Sequence, residues 1–269
     1  MRHISAPNLD SQRLFSSLYE RLETPPVELS RIAHAISEAE REYLAQCEAG
    51  NFNYQTRIEA PNGVDKDLMG YIYSQHLRDG SGRQSYIDIL KGSDGRKLCS
   101  FCGLREAESA DHYKEQSLFP LLAVFPGNLI PACVRCNGVL GVTDQRFHAY
   151  YDDVRALEWL EAKIIGSPGV VDPGVKFSIS TTFSADASLV KRVECTFNKI
   201  GLAGRWGVEL APTLSMISRA FMRRPSQSSR EDYISDLIET DPWAWNGPHQ
   251  SLYRAILKSE WIKSTLSIQ

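Results

Sequence analysis

Two Cys-x-x-Cys pairs, Cys99 with Cys102 and Cys133 with Cys136, constrain this chain more than any other feature. Four thiolates at that spacing can converge on one ion, and four cysteines are the usual tetrahedral set for structural zinc. Between the pairs lie Asp111-His112 and Asn128, and Asn137 follows directly on the last cysteine. An acid beside a histidine, with two asparagines, is a poor apolar core and a good metal-dependent hydrolytic site. Two Cys-x-x-Cys pairs can also serve redox chemistry, but the spacing and the embedded Asp-His favour zinc with a closed coordination sphere, a structural ion that is not itself catalytic.

The pattern resembles the HNH nucleases, whose ββα-metal finger reads C-x-x-C, then D-H, then N-L-x-P-x-C-x-x-C-N. This chain matches with Asp111-His112-Tyr113, with Asn128-Leu129-Ile130-Pro131-Ala132-Cys133, and with Cys136-Asn137. The resemblance is specific from Cys99 to Asn137, looser to about residue 200, and weak elsewhere. It implies short strands around Asp111-His112 and a helix that begins near Cys133 and carries Asn137. It also implies Asp111 and Asn137 as oxygen ligands of a catalytic magnesium or manganese ion, and His112 as general base, since histidine titrates near neutrality. Asn128 is expected to hold the loop and orient His112 through hydrogen bonds.

Two positions depart from the family pattern. A lysine or arginine often stands three residues past the closing asparagine, where this chain has Leu140. After His112 comes Tyr113-Lys114-Glu115-Gln116 in place of an apolar residue, proline and lysine, which makes Lys114 the candidate substitute cation at DNA. Farther on, Arg146-Phe147-His148-Ala149-Tyr150-Tyr151-Asp152 resembles a segment that follows the motif in stand-alone bacterial HNH proteins. His148 there either approaches the site or lies buried, bonded to backbone beneath an aromatic cluster.

Composition bounds the surroundings. With 269 residues, 42% of them hydrophobic, the chain can bury one large core or two small ones. No run reaches the roughly 18 apolar residues of a membrane span and the N-terminus has no apolar signal core, so a cytoplasmic protein is expected. Cys47 and Cys195 stand apart from the clips, a usage that fits a reducing compartment. The net charge of −3 is not that of a protein that holds nucleic acid by its overall field. One stretch is different: Lys191, Arg192, Lys199, Arg205, Arg219, Arg223 and Arg224 face only Glu194 and Glu209, a phosphate-facing patch or ordinary solvated helix faces. No Walker-type phosphate loop and no internal repeat is present.

The remaining pattern is largely helical. Asn8 is placed to cap a first helix that runs toward Pro25; a second begins near Leu29 and stops at Gly50; Asp65 caps a third; and a short fourth carries Tyr86, Ile87 and Leu90. His34 and His76 read as helix-face residues. Beyond the finger, the spacing of Leu157, Trp159 and Leu160 predicts a helix over 154–164, Phe177 and Ile179 mark a strand over 175–183, and Asp186 caps a helix stopped at Gly201. Pro212 is expected to interrupt the next helix. Trp243, Trp245, Tyr253 and Trp261 form an aromatic end that serves either packing or docking.

The expectation is therefore an α+β chain, mostly helical around a central zinc-clipped, treble-clef-like ββα-metal HNH finger. Three regions are read: 1–90 helical, 91–165 finger, and 166–269 a small β element plus helices. The resemblance is closest to HNH subunits of bacterial anti-phage defence modules of the Septu type, which implies DNA as substrate and an ATPase subunit as partner. Arg223 and Arg224 join Lys114 as candidate DNA contacts. The rival class is a zinc-clipped module that binds nucleic acid or protein without cutting.

Overall fold

The computed structural model describes residues 1–140, 145–166, 174–241 and 246–263. The chain is α+β, about half helical, with two small antiparallel sheets, and its contacts divide into two compact units. Residues 3–152 form one unit, and residues 153–269 with Met1 and Arg2 form the other. The N-terminal helices and the cysteine-rich stretch thus share one unit.

In that unit, α1 (Ser11–Tyr19) is capped by Asp10, whose side chain accepts from Arg13 N; Asn8, the expected cap, lies outside the turn. The helix buries Leu14, Phe15, Leu18 and Tyr19. α2 (Leu29–Glu48) buries Ile32, Ile36, Tyr43 and Cys47 along one stripe, and Gly50 beyond it takes a left-handed φ of 70°. Asp65 caps α3 (Lys66–Tyr71) by accepting from Asp67 N and Leu68 N. The helix does not end there but widens into a π-helical segment, Ile72–Arg78, which buries Ile72, Tyr73 and Leu77. π-helical turns are rare and frequent at functional sites. After α4 (Arg83–Lys91) comes the cysteine-rich stretch.

Its two strands, β1 (Ser109–His112) and β2 (Leu129–Ala132), pair antiparallel with Asp111 opposite Ile130 and His112 opposite Leu129. Pro131 stands opposite Ala110 where the backbone groups of both residues point away from the partner strand, so its missing N–H costs the ladder no bond. The Ala110 N–H is tied off elsewhere, by Tyr86 Oη at 3.0 Å, while Pro131 O accepts from Ser100 N at 2.9 Å. α5 (Val134–Leu140) follows directly, and its last residue, Leu140, is fully buried. The position at which the family pattern places a cation is core.

The second unit is built on β3 (Leu160–Ile165) and β4 (Gly174–Ile179), paired from Leu160 opposite Ile179 to Ile165 opposite Gly174. The helix predicted over 154–164 is not formed. Burial there alternates residue by residue, the period of a strand, and β4 supplies the backbone partners that a helix would have had to find within itself. α6 (Ala187–Ile200) is capped by Asp186 and stopped by Gly201 at φ 68°. α7 (Leu202–Met222) runs through Pro212 without a break. The carbonyl that loses its partner is that of Val208, a residue 75% exposed, so the break falls on the solvent side of the helix. α8 (Gln227–Thr240), capped by Ser226, precedes α9 (Pro248–Lys258) and α10 (Glu260–Lys263). Trp159, Phe177, Phe197 and Trp206 meet edge to face in the core, with the two indoles 6.1 Å apart.

The basic stretch does not form one surface. Arg192 and Arg205 are buried, Arg224 lies over the Tyr233 ring at 4.1 Å, and Lys191, Lys199, Arg219 and Arg223 remain exposed. Tyr253 is packed inward, whereas Trp243 and Trp245 lie outside the described residues, as does the Trp261 side chain. No helix among the described residues is long and apolar enough to cross a membrane.

Candidate functional site

The four cysteines of the paired motifs come together. Their sulfur atoms all lie within 4.8 Å of one another, all four are buried, and Cys102 Sγ is 4.0 Å from Cys133 Sγ. Sulfurs around tetrahedral zinc stand roughly 3.8 Å apart, given Zn–S bonds of about 2.3 Å. The cluster therefore fits a metal ion such as zinc with little adjustment. Hydrogen bonds among the thiols, that of Cys102 first, pull Cys133 below the ordinary thiol range and push Cys136 above it, while burial raises Cys99, so without an ion the four sulfurs share their protons unevenly. Backbone turns shape both clips: Gly103 N donates to Cys99 O with φ at 66°, and Cys133 O accepts from both Cys136 N and Asn137 N.

A cavity of about 600 Å³ in the same unit has a lining that includes Asp111, His112 and Asn137 but none of the four cysteines. β1 delivers the first two and α5 the third. Asn137 Nδ2 donates to Ser109 Oγ at 3.1 Å, which leaves its amide oxygen available. His112 Nε2 lies 2.8 Å from Ala123 O. A carbonyl can only accept, so Nε2 carries the hydrogen and Nδ1 keeps the lone pair. The Tyr73 ring, from the π-helical segment, meets the imidazole edge to face at 4.6 Å. Burial, and after it the positive charge of Arg146, hold the His112 conjugate acid down to about 4, against the opposing bond to Ala123 O.

Asp111 is buried against a cation. Arg146 Nη1 donates to its Oδ2 at 2.6 Å, while Arg146 Nη2 donates to the carbonyls of His112 and Tyr113. One guanidinium thus grips three consecutive residues. Desolvation raises the Asp111 carboxyl above its usual value, and Arg146 opposes the rise by charge and hydrogen bond. The second carboxylate oxygen, Oδ1, is not used by this pair.

Asn128 acts on the loop and not on the imidazole. Its Oδ1 accepts from Lys114 N at 2.6 Å, and its Nδ2 donates to Lys114 O and Leu122 O, both at 3.1 Å. The hydrogen bond that orients His112, expected from Asn128, comes instead from Ala123 O, in the loop that Asn128 pins. Replacing Asn128 by alanine strands several buried partners, each costing about 1–3 kcal/mol when unpaired. We expect Asn128→Ala to destabilise the unit by several kcal/mol, on the order of 3, in urea unfolding, while added zinc still binds the cysteine cluster.

Lys114 is not a surface cation. It is 3% exposed, its Nζ donates to Tyr54 O at 2.7 Å, and the ammonium sits 4.2 Å from the centre of the Tyr54 ring. The expected DNA contact at Lys114 is thereby corrected: an aromatic cage holds the charge. Arg223 and Arg224 belong to the other compact unit.

His148 takes the buried alternative. It is fully buried, its Nδ1 accepts from Tyr150 N at 3.3 Å, and its Nε2 lies 2.7 Å from Tyr43 Oη, whose hydroxyl donates to Gly127 O at 3.1 Å. Both ring nitrogens are used by structure. The residues that sequence reasoning missed are Arg146, named only as part of a segment, Tyr73, and the carbonyl of Ala123.

No family model matches the sequence, and no solved structure matches it. The chain is similar to protein ea31 of Escherichia phage lambda, with 28% identity over 158 residues, covering 54% of this chain and 52% of that protein. This chain therefore spans about half the length of the curated relative it matches.

Proposed function

We propose that this chain is a metal-dependent HNH endonuclease that hydrolyses DNA phosphodiester bonds, with Cys99, Cys102, Cys133 and Cys136 holding a structural zinc ion. One observation carries the reading: Asp111, His112 and Asn137 line a single cavity, and the bond from His112 Nε2 to Ala123 O leaves Nδ1 as the basic nitrogen. In this reading β1, β2 and α5 are the two strands and helix of the ββα-metal finger.

Asp111 Oδ1 and the Asn137 amide oxygen are the donors that would hold magnesium or manganese, hard ions that take oxygen ligands and keep several waters. Such an ion supplies charge stabilisation at a phosphoryl oxygen. His112 Nδ1 takes the proton of the attacking water, and the Nε2 bond to Ala123 O keeps the imidazole in that tautomer. Tyr73 and the loop held by Asn128 limit how the ring can turn.

The defence-module resemblance extends the proposal to a partner ATPase that brings the nuclease to DNA. The buried Leu140 and the slightly acidic chain support weak DNA affinity for the chain alone. Arg223 is the exposed member of the candidate DNA contacts.

The test is incubation of the zinc-loaded chain with supercoiled plasmid in magnesium or manganese, with and without chelator. Nicking or linearisation that chelator stops supports the proposal. Intact plasmid in every divalent ion, with DNA bound in a gel-shift assay, would replace it by the non-cutting binding module.

A further inference from the structure

Arg146 places a positive charge directly against Asp111, the carboxylate that the nuclease reading assigns to a divalent ion. The side chain is 3% exposed, and its guanidinium reaches one oxygen of Asp111 at 2.6 Å. The charged residues around the cavity are balanced, Arg78, Lys114 and Arg146 against Glu108, Asp111 and Glu115. A hard divalent ion draws most of its affinity from anionic oxygens. Here Asn137 contributes a neutral amide, and the Asp111 carboxylate already has a counter-charge in van der Waals contact. The ingredient the site lacks is a further negative charge, which a phosphodiester brings with it.

We propose that Arg146 is a positioning residue that keeps the divalent-metal site weak until a phosphodiester enters, so that metal and DNA bind cooperatively. The inference rests on the nuclease reading and adds its order of assembly. Arg146 holds Asp111 by Oδ2 and the strand by two carbonyls, so Oδ1 stays aimed and available while the net charge stays near zero. Arrival of a phosphate tips the electrostatic balance toward a divalent ion. Because coupling is reciprocal, the metal strengthens DNA binding by the same factor.

Manganese binding to the full-length, zinc-loaded chain tests this, followed by the free-ion electron paramagnetic resonance signal. With His112→Ala, which leaves added DNA uncut, a short DNA duplex should tighten manganese at least about tenfold. Without DNA, Arg146→Gln should bind manganese at least about tenfold more tightly than the parent chain, because the counter-charge is gone, whereas Arg146→Lys, which keeps it, should stay close to the parent. A purely structural role for Arg146 predicts the opposite sign, weaker binding in Arg146→Gln. Manganese affinity that does not respond to DNA, or that falls or stays level in Arg146→Gln, overturns the inference. If Arg146→Gln does not fold, judged by zinc content and circular dichroism, the DNA response of the His112→Ala chain decides alone. A parent chain that cuts plasmid yet shows no such response removes this inference only; one that cuts nothing removes the nuclease reading.

Discussion

Replacing His112 by alanine is expected to abolish plasmid cleavage in magnesium or manganese while leaving the zinc content and the fold intact. A positioned general base contributes on the order of 10²- to 10⁴-fold in rate, enough to take the proposed cleavage below detection. Unchanged cutting by the variant would remove His112 from the chemistry. The same substitution has a signature in stability. The His112 conjugate acid is held down to about 4 in the folded chain, against about 6.5 when unfolded. Between those values the unfolded chain binds a proton that the folded chain does not, so this group's contribution is complete above the upper value and is lost as pH falls through the window. Acidification from about pH 7.5 to about pH 5 should therefore cost the parent on the order of 1–2 kcal/mol more than it costs His112→Ala, measured by urea unfolding at each pH.

The largest effect expected anywhere in the chain is at the cysteines. Purified protein should carry about one tightly held zinc ion per chain, and Cys133→Ser should yield protein that is poorly soluble and largely unfolded. Structural zinc sites of this type carry apparent binding free energies of about 10–16 kcal/mol, the same size as the whole stability of an ordinary domain. β1, β2 and α5 comprise only 4, 4 and 7 residues. Elements so short bury too little apolar surface to hold their arrangement alone. Elemental analysis that finds no zinc in folded, soluble protein would remove the clip.

What the sequence made legible was chemistry carried by local spacing. Each Cys-x-x-Cys clip could be read because its two residues stand three positions apart, and the strand of Asp111-His112 and the helix bearing Asn137 were expected from the family resemblance that the clips and Asp-His carry. Arg146 could not, since its meaning comes from a contact with Asp111 across 35 positions of chain. Nor could the partner of His112, because it is a backbone carbonyl, a group that every residue carries. Lys114 looked like a phosphate contact until the cage of Tyr54 and Phe119 was in view. The strand β3 was misread for a related reason: Leu160 stands at a helical interval from Leu157 while Trp159 stands at a strand interval from it, and only pairing with β4 decides between the two periods. Pro212 is a milder case, a break predicted from a lost hydrogen bond that falls at an exposed residue of a continuous helix.

The ties between the N-terminal helices and the cysteine-rich stretch bear on how such a site could be moved between proteins. Tyr43 of α2 holds Gly127 and His148, Tyr86 of α4 holds Ala110, and Tyr73 of the π-helical segment braces His112. A graft of the cysteine clips and strands alone would carry the donor atoms and leave behind the three tyrosines that brace His112 and the backbone around it. The transferable cassette is accordingly the whole of residues 3–152, and recombination within that span would be punished where recombination at its edge would not.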